Sequence, residues 1–169
     1  SGNNWTVVGG TGEIGTIQTL GAVGHHLRGA AAGGTVTWQQ DVDVTGYEPE
    51  GLSAILDFYI FAFSDVNDTI GITLYGLDSG GATITSTAYG PSSPSISYWE
   101  KHTLSLSNLD PDTVTLRVKV VLTPAGGGDT IADTGITAMC LRVGQVSSQL
   151  IANQSFELGG GLASWTETV

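Results

Sequence analysis

Apolar and polar residues alternate along most of this chain with a period of two, and Gly, Asp, Asn or Pro interrupts each alternating run. That pattern predicts half-buried β-strands joined by turns. The clearest run is GTVTWQQDVDV at 34–44, where Val36, Trp38, Gln40, Val42 and Val44 share one face and Thr35, Thr37, Gln39, Asp41 and Asp43 the other. Trp38 lies among valines, which predicts a core position for it. LSAILDFYIFAFSD at 52–65 is apolar on both faces and predicts a central strand covered on both sides. DTIGITLYGLD (68–78) and GATITSTAYG (81–90), joined through DSGG, predict a hairpin. ISYWEKHTLSLSNL follows, then a DPD turn, then TVTLRVKVVLT, in which Val114, Leu116, Val118 and Val120 alternate with Thr115, Arg117 and Lys119. ITAMCLRVGQV closes the body. So many evenly spaced strands, with no 3.6-residue periodicity, predict an all-β fold: a jelly-roll β-sandwich of two antiparallel sheets.

Composition narrows the function. The 169 residues carry a formal net charge of −11 and only five Lys plus Arg: Arg28, Lys101, Arg117, Lys119 and Arg142. No basic stripe exists to neutralise phosphates, so nucleic acid and anionic membranes are poor partners. No apolar run is long enough to cross a bilayer as a helix, and no membrane insertion is expected. An acidic, lysine-poor surface suits an extracellular setting. Cys140 is the single cysteine, so no intrachain disulfide forms, and its place in GITAMCLRVG predicts a small internal side chain.

Enzyme signatures are missing: there is no G-x-S-x-G, no H-E-x-x-H and no phosphate-cradling loop, so no catalytic activity is expected. Asp41 and Asp43 share a strand face and read as solvated surface rather than a glycosidase pair. His25 and His26 are adjacent, point to opposite faces of a strand, and do not readily share a metal. Sugar binding calls for exposed aromatic planes flanked by amides and carboxylates. Tyr59, Tyr75, Tyr89, Tyr98 and Trp99 are the aromatic candidates beside Trp38. Tyr98 and Trp99 are favoured because adjacent strand residues face opposite ways, so one looks outward. Tyr89 is favoured because Gly90 and Pro91 place it at a loop.

The motifs Asn153-Gln154-Ser155-Phe156-Glu157, Trp5-Thr6-Val7, HHLRGA (25–30), VTWQQDV (36–42), ILDFYIFAF (55–63) and GITAMCLRV (135–143) together resemble the galactose-binding-domain-like jelly rolls. These include carbohydrate-binding modules of families four, nine and twenty-two and related modules of phage and other surface proteins. The resemblance implies polysaccharide as a partner and a structural calcium near the first and last strands. Glu157 is the matched calcium candidate and Asp133 a neighbour, but Thr137 and Ala138 stand where such modules often carry acidic residues.

The segment resembling the first strand of such a module sits at the C-terminus, which divides the chain into a body at 1–147 and a terminal segment at 148–169. Burial of Leu150, Ile151, Phe156 and Leu158 is worth roughly 6–12 kcal/mol gross, at about 1.5–3 kcal/mol each. A body lacking that strand is compromised. The segment therefore fills the slot in cis, fills it in a second copy, or begins a further module of a longer chain. Trp165-Thr166 repeats Trp5-Thr6, and one sandwich cannot host both at one place, which favours a tandem or polymerising array. The expected function is thus a structural or adhesive module of an extracellular or virion-surface assembly, linked to copies of itself or adjacent modules, with glycan binding as an associated activity. A carbohydrate-binding module appended to a polysaccharide-degrading enzyme is the alternative.

Overall fold

A computed structural model describes residues 5–10, 12–17, 24–29, 34–47, 52–62, 68–93, 96–123 and 134–145, with the backbone alone at 12–17, 24–29, 61–62, 96–99, 134–135, 138 and 145. All of its regular elements are strands: β1 (Thr6–Gly9), β2 (Gly12–Ile17), β3 (Gly24–Gly29), β4 (Val36–Asp43), β5 (Leu52–Ala62), β6 (Thr69–Leu77), β7 (Thr83–Ser92), β8 (Ile96–Leu106), β9 (Thr115–Thr123) and β10 (Thr134–Gln145). They form two five-stranded sheets, a first sheet ordered β1-β4-β9-β6-β7 and a second ordered β2-β3-β10-β5-β8. Every pairing is antiparallel. This is the two-sheet sandwich that the alternation predicted. Among the described residues no helix is long and apolar enough to cross a membrane.

The core follows from the period-two pattern. Val36 and Trp38 of β4, Ile70, Ile72 and Leu74 of β6, and Leu116, Val118, Val120 and Leu122 of β9 are buried from the first sheet. Ala54, Leu56, Phe58 and Ile60 of β5, Leu104 and Leu106 of β8, and Ile136 of β10 meet them from the second. Trp38 is 4% exposed, as its valine neighbours imply. The hairpin expected at 68–90 is β6–β7, closed by Asp78, whose carboxylate accepts from the Gly80 and Ala82 amides.

Two expectations need correction. β5 is central, between β10 and β8, but only one of its faces is covered: Ile55, Asp57 and Tyr59 look outward and are half-buried by neighbouring side chains. That outward face is the reason the charge of Asp57 is tolerated in so apolar a run. The carboxylate accepts from Thr103 Oγ1 at 2.6 Å and from Arg142, with Lys101 Nζ at 3.6 Å. Cys140, expected inside, is exposed. Thr137 pairs with Tyr59 and Cys140 with Asp57, so three steps along β10 match two along β5. The extra residue is a β-bulge, and it inverts the alternation that follows. Met139, Leu141 and Val143 then pack on the core, while Cys140 and Arg142 turn outward.

The Asp57 cluster predicts an acid limb in stability. Partial burial works to raise its pKa, but the Thr103 hydrogen bond and the charges of Arg142 and Lys101 outweigh it and hold the carboxyl below its ordinary value. A depressed folded pKa contributes stability that is complete above the unfolded value, about pH 4, and is lost as pH falls through the folded one. Denaturation midpoints measured from pH 7 down to about pH 2 should therefore fall less steeply in Asp57→Asn than in the parent. Parallel curves would contradict this assignment.

β7 carries a second bulge at the cis peptide Gly90-Pro91, where Ile70 pairs with Ser92 and Ile72 with Tyr89. A proline fits here because β7 is an edge strand. Gly90 has φ 71°, and a Cβ there would lie 2.3 Å from the Ile70 carbonyl oxygen and 2.6 Å from the Ser92 nitrogen. Both are backbone atoms and cannot swing away. Gly90→Ala should destabilise the fold by at least about 1–3 kcal/mol, read from the urea midpoint; an unchanged midpoint would refute this geometry.

Besides the sheet edges, two inner strands have a flank that is only partly paired among the described residues. β1 pairs only with Thr37–Gln39, so β4 from Gln40 to Asp43 has a described partner on its β9 side alone. β10 meets β3 only at Ile136 and Thr137, so Cys140–Gln145 has a described partner on its β5 side alone. Leu150, Ile151, Phe156, Leu158 and Trp165, expected to fill such a flank, lie outside the described residues, as do Glu157 and Asp133.

Candidate functional site

The outer face of the first sheet is built from the polar half of each alternating strand. Register sets these side chains in rows across β4, β9 and β6: Thr37, Val121 and Gly71; then Gln39, Lys119 and Thr73; then Asp41, Arg117 and Tyr75; then Asp43, Thr115 and Leu77. Thr35 donates to Thr123 at 3.3 Å beside Thr69, extending the face by a further row. Two hollows indent it. One, of about 310 Å³, is lined by Thr69, Gly71, Thr73, Tyr89, Gly90, Pro91, Val121 and Thr123. The other, of about 230 Å³, is lined by Gln39, Tyr75, Leu77, Thr83, Arg117 and Lys119.

Charge is distributed unevenly over this face. Arg117 grips Asp41 through two bonds of 2.8 Å, from Nε and from Nη2. The hydrogen bond from Arg117 holds the Asp41 carboxyl below its usual value against partial burial, and the same contact raises the guanidinium. With its amide oxygen turned to Arg117, Gln39 accepts at 3.0 and 3.2 Å. Asp43 faces its own turn, accepting from the Thr45 amide at 2.9 Å and hydroxyl at 2.7 Å, which lowers its pKa. Lys119 lies opposite two neutral residues, Gln39 and Thr73. Among the described residues no carboxylate pairs with it. Tyr75 supplies the aromatic plane of this hollow, directly across from Arg117.

Of the aromatic residues singled out from the sequence, Tyr75 lies on this face, while Tyr89 borders the larger hollow from β7 in register with the buried Ile72, so its side chain is on the inner side of the sheet. Its ring meets Phe58 edge-on with centroids 5.8 Å apart and tilts against His102 at 4.4 Å, and its hydroxyl accepts from Ser92 Oγ at 2.8 Å. It is therefore both a core-rim packing residue and a wall of the hollow. Tyr98 and Trp99 lie on β8, the edge of the other sheet, and their side chains are outside the described residues. Gln39, Arg117 and Lys119 were not singled out, although their alternation with Val and Trp was visible. Nothing in the sequence states that β9 lies between β4 and β6.

The calcium implied by the resemblance finds no described ligand set. Thr137 and Ala138 occupy β10, and no group of three His, Cys, Asp or Glu side chains suited to a metal occurs among the described residues.

No protein-family model matches the chain, and no curated protein matches it. Solved structures do resemble it. The enzymatically active domain of Bacteriophage CBA120 tailspike protein 4 superimposes with a TM-score of 0.56 at 17% identity, over 85% of this chain and 20% of the other. A carbohydrate-binding module of the β-sandwich superfamily gives 0.52 at 17% identity, over 82% of this chain and 57% of that one. The CBM22-1 xylan-binding domain from Paenibacillus barcinonensis Xyn10C gives 0.51 at 14% identity, over 85% and 88%. The chain thus spans a small part of the tailspike domain and most of the xylan-binding domain. With two antiparallel sheets and matches of this kind, the fold is a β-sandwich like that of these carbohydrate-binding modules, which supports the galactose-binding-like jelly roll that the short motifs suggested.

Proposed function

We propose that this chain is a non-catalytic β-sandwich module that binds glycan on the outer face of the first sheet, within an extracellular or virion-surface assembly. The observation that carries the reading is the indented face itself, where Tyr75 is set among threonines, the Gln39 amide and the Arg117 and Lys119 cations. Apolar sugar faces stack on aromatic planes, and sugar hydroxyls pair with amides and charged groups. The names of two structural neighbours, a carbohydrate-binding module and a xylan-binding domain, support the same reading. The test is affinity electrophoresis through gels containing xylan and other polysaccharides. Retardation lost in Tyr75→Ala supports the reading; retardation lost in Tyr98→Ala or Trp99→Ala but kept in Tyr75→Ala places the site on β8 instead.

The assembly role rests on the flanks of β4 and β10 that have no partner among the described residues and on the apolar terminal segment around Phe156. Filling a flank in a second copy adds main-chain hydrogen bonds and buries Leu150, Ile151, Phe156 and Leu158. Light scattering across a concentration series should show multimers that vanish when residues 149–169 are deleted. Identical monomers with and without the segment would refute assembly in trans. The alternative, a module appended to a polysaccharide-degrading enzyme, is favoured by one finding: the match to the xylan-binding domain covers 88% of that domain.

A further inference from the structure

We infer that the glycan face selects an acidic sugar, with a uronate carboxylate received by Lys119; this rests on the glycan-binding reading above. The chain has sixteen Asp plus Glu against five Lys plus Arg. In such a composition a cation meets carboxylates readily, and three of the described ones do: Lys101 and Arg142 pair with Asp57, and Arg117 pairs with Asp41. Lys119 is the exception among the described residues. It is half-buried, its cross-strand neighbours are the neutral Gln39 and Thr73, and it faces the hollow that Tyr75 and Arg117 line. An ammonium at the wall of a hollow without a counter-charge is an arrangement that suits a charge-bearing ligand better than a packing role.

The spacing fits one sugar unit beside another. Tyr75 lies opposite Arg117, and Lys119 is the diagonal neighbour two residues along β9, about 7–8 Å away in sheet geometry. A ring stacked on Tyr75 then leaves the substituent of the adjoining ring within reach of the ammonium. Asp41 is neutralised by Arg117, so the local balance at the hollow is positive although the chain carries −11. At physiological ionic strength the screening length is about 8 Å, so the more distant carboxylates oppose binding only weakly.

The experiment is calorimetric titration of the full chain, at about 150 mM salt, with oligogalacturonate, the same oligomer after reduction of its carboxyls, a sulfated galactan oligomer and neutral xylo-oligosaccharide. The expected result is preference for oligogalacturonate over its reduced form, and affinity lowered about tenfold to hundredfold in Lys119→Gln but largely kept in Lys119→Arg. Equal binding of the acidic and reduced oligomers, or an unchanged affinity in Lys119→Gln, overturns the inference while leaving glycan binding standing. Preference for the sulfated oligomer overturns the uronate and retains an anionic sugar. Binding of none of the four overturns the inference, and loss of all retardation in the polysaccharide gels as well would sink the underlying reading.

Discussion

Phe58→Ala should lower the stability of the fold by about 3–5 kcal/mol, a large part of the roughly 5–15 kcal/mol available to a domain. Phe58 is fully buried near the middle of β5 and lies directly opposite His102 of β8, the two rings stacked at 5.7 Å. It also meets the edge-on ring of Tyr89, which belongs to the first sheet. One side chain therefore ties β5, β8 and β7 together at the rim where the two sheets meet. Truncation removes transfer energy and leaves a cavity that strands fixed on both flanks cannot close. Phe58→Leu keeps most of the volume and should cost about 1.5 kcal/mol or less. Urea midpoints at a common slope measure both. A loss below about 1 kcal/mol for the alanine variant would mean that the rim is loosely packed. Tyr89 also lines the larger hollow, so the leucine variant, which stays folded, is expected to weaken glycan binding modestly as that wall relaxes.

The largest functional effect is expected at Tyr75. Replacing it by alanine should weaken glycan binding about tenfold or more, because a central aromatic anchor accounts for much of the energy of an interface. The fold should be little disturbed. Tyr75 points away from the core, and its neighbours across the strands, Arg117 and Ser86, keep their own partners or face solvent. Tyr75→Phe separates the two contributions of the ring: stacking is retained and only the hydroxyl is lost, so affinity should remain close to the parent. Titration of the three proteins with one oligosaccharide, alongside thermal unfolding, reads binding and stability together. Equal affinity in the alanine variant at unchanged stability would remove Tyr75 from the site.

The fold was legible where side-chain period and turn chemistry are local. The alternation at 34–44 placed Trp38 inside and Gln39 and Asp41 outside, and DSGG placed the β6–β7 hairpin. Legibility ended where the arrangement depends on distant strands. The bulge after Thr137 shows in the local pattern only as Ile136 falling out of phase with Met139, Leu141 and Val143, yet it reverses the faces of β10 and turns Cys140 outward. The outward Asp57 makes sense only with Thr103 and Arg142, 46 and 85 residues away. The candidate site behaves the same way. Tyr75 could be named from its chemistry, but its company could not, because Asp41 and Arg117 are 76 residues apart and meet only through the register of β4 on β9. Tyr98 and Trp99 show the converse: their adjacency guarantees that one faces outward without saying toward what.

Everything functional here depends on sugar meeting the sheet face that carries Tyr75, and amide chemical-shift mapping during titration with a bound oligosaccharide addresses that directly. The account predicts shifts concentrated along β6 and β9, from Gly71 to Tyr75 and from Arg117 to Val121, with β5 and β10 silent. Shifts confined to β8 around Tyr98 and Trp99, or to the outward face of β5 around Asp57 and Tyr59, would contradict it.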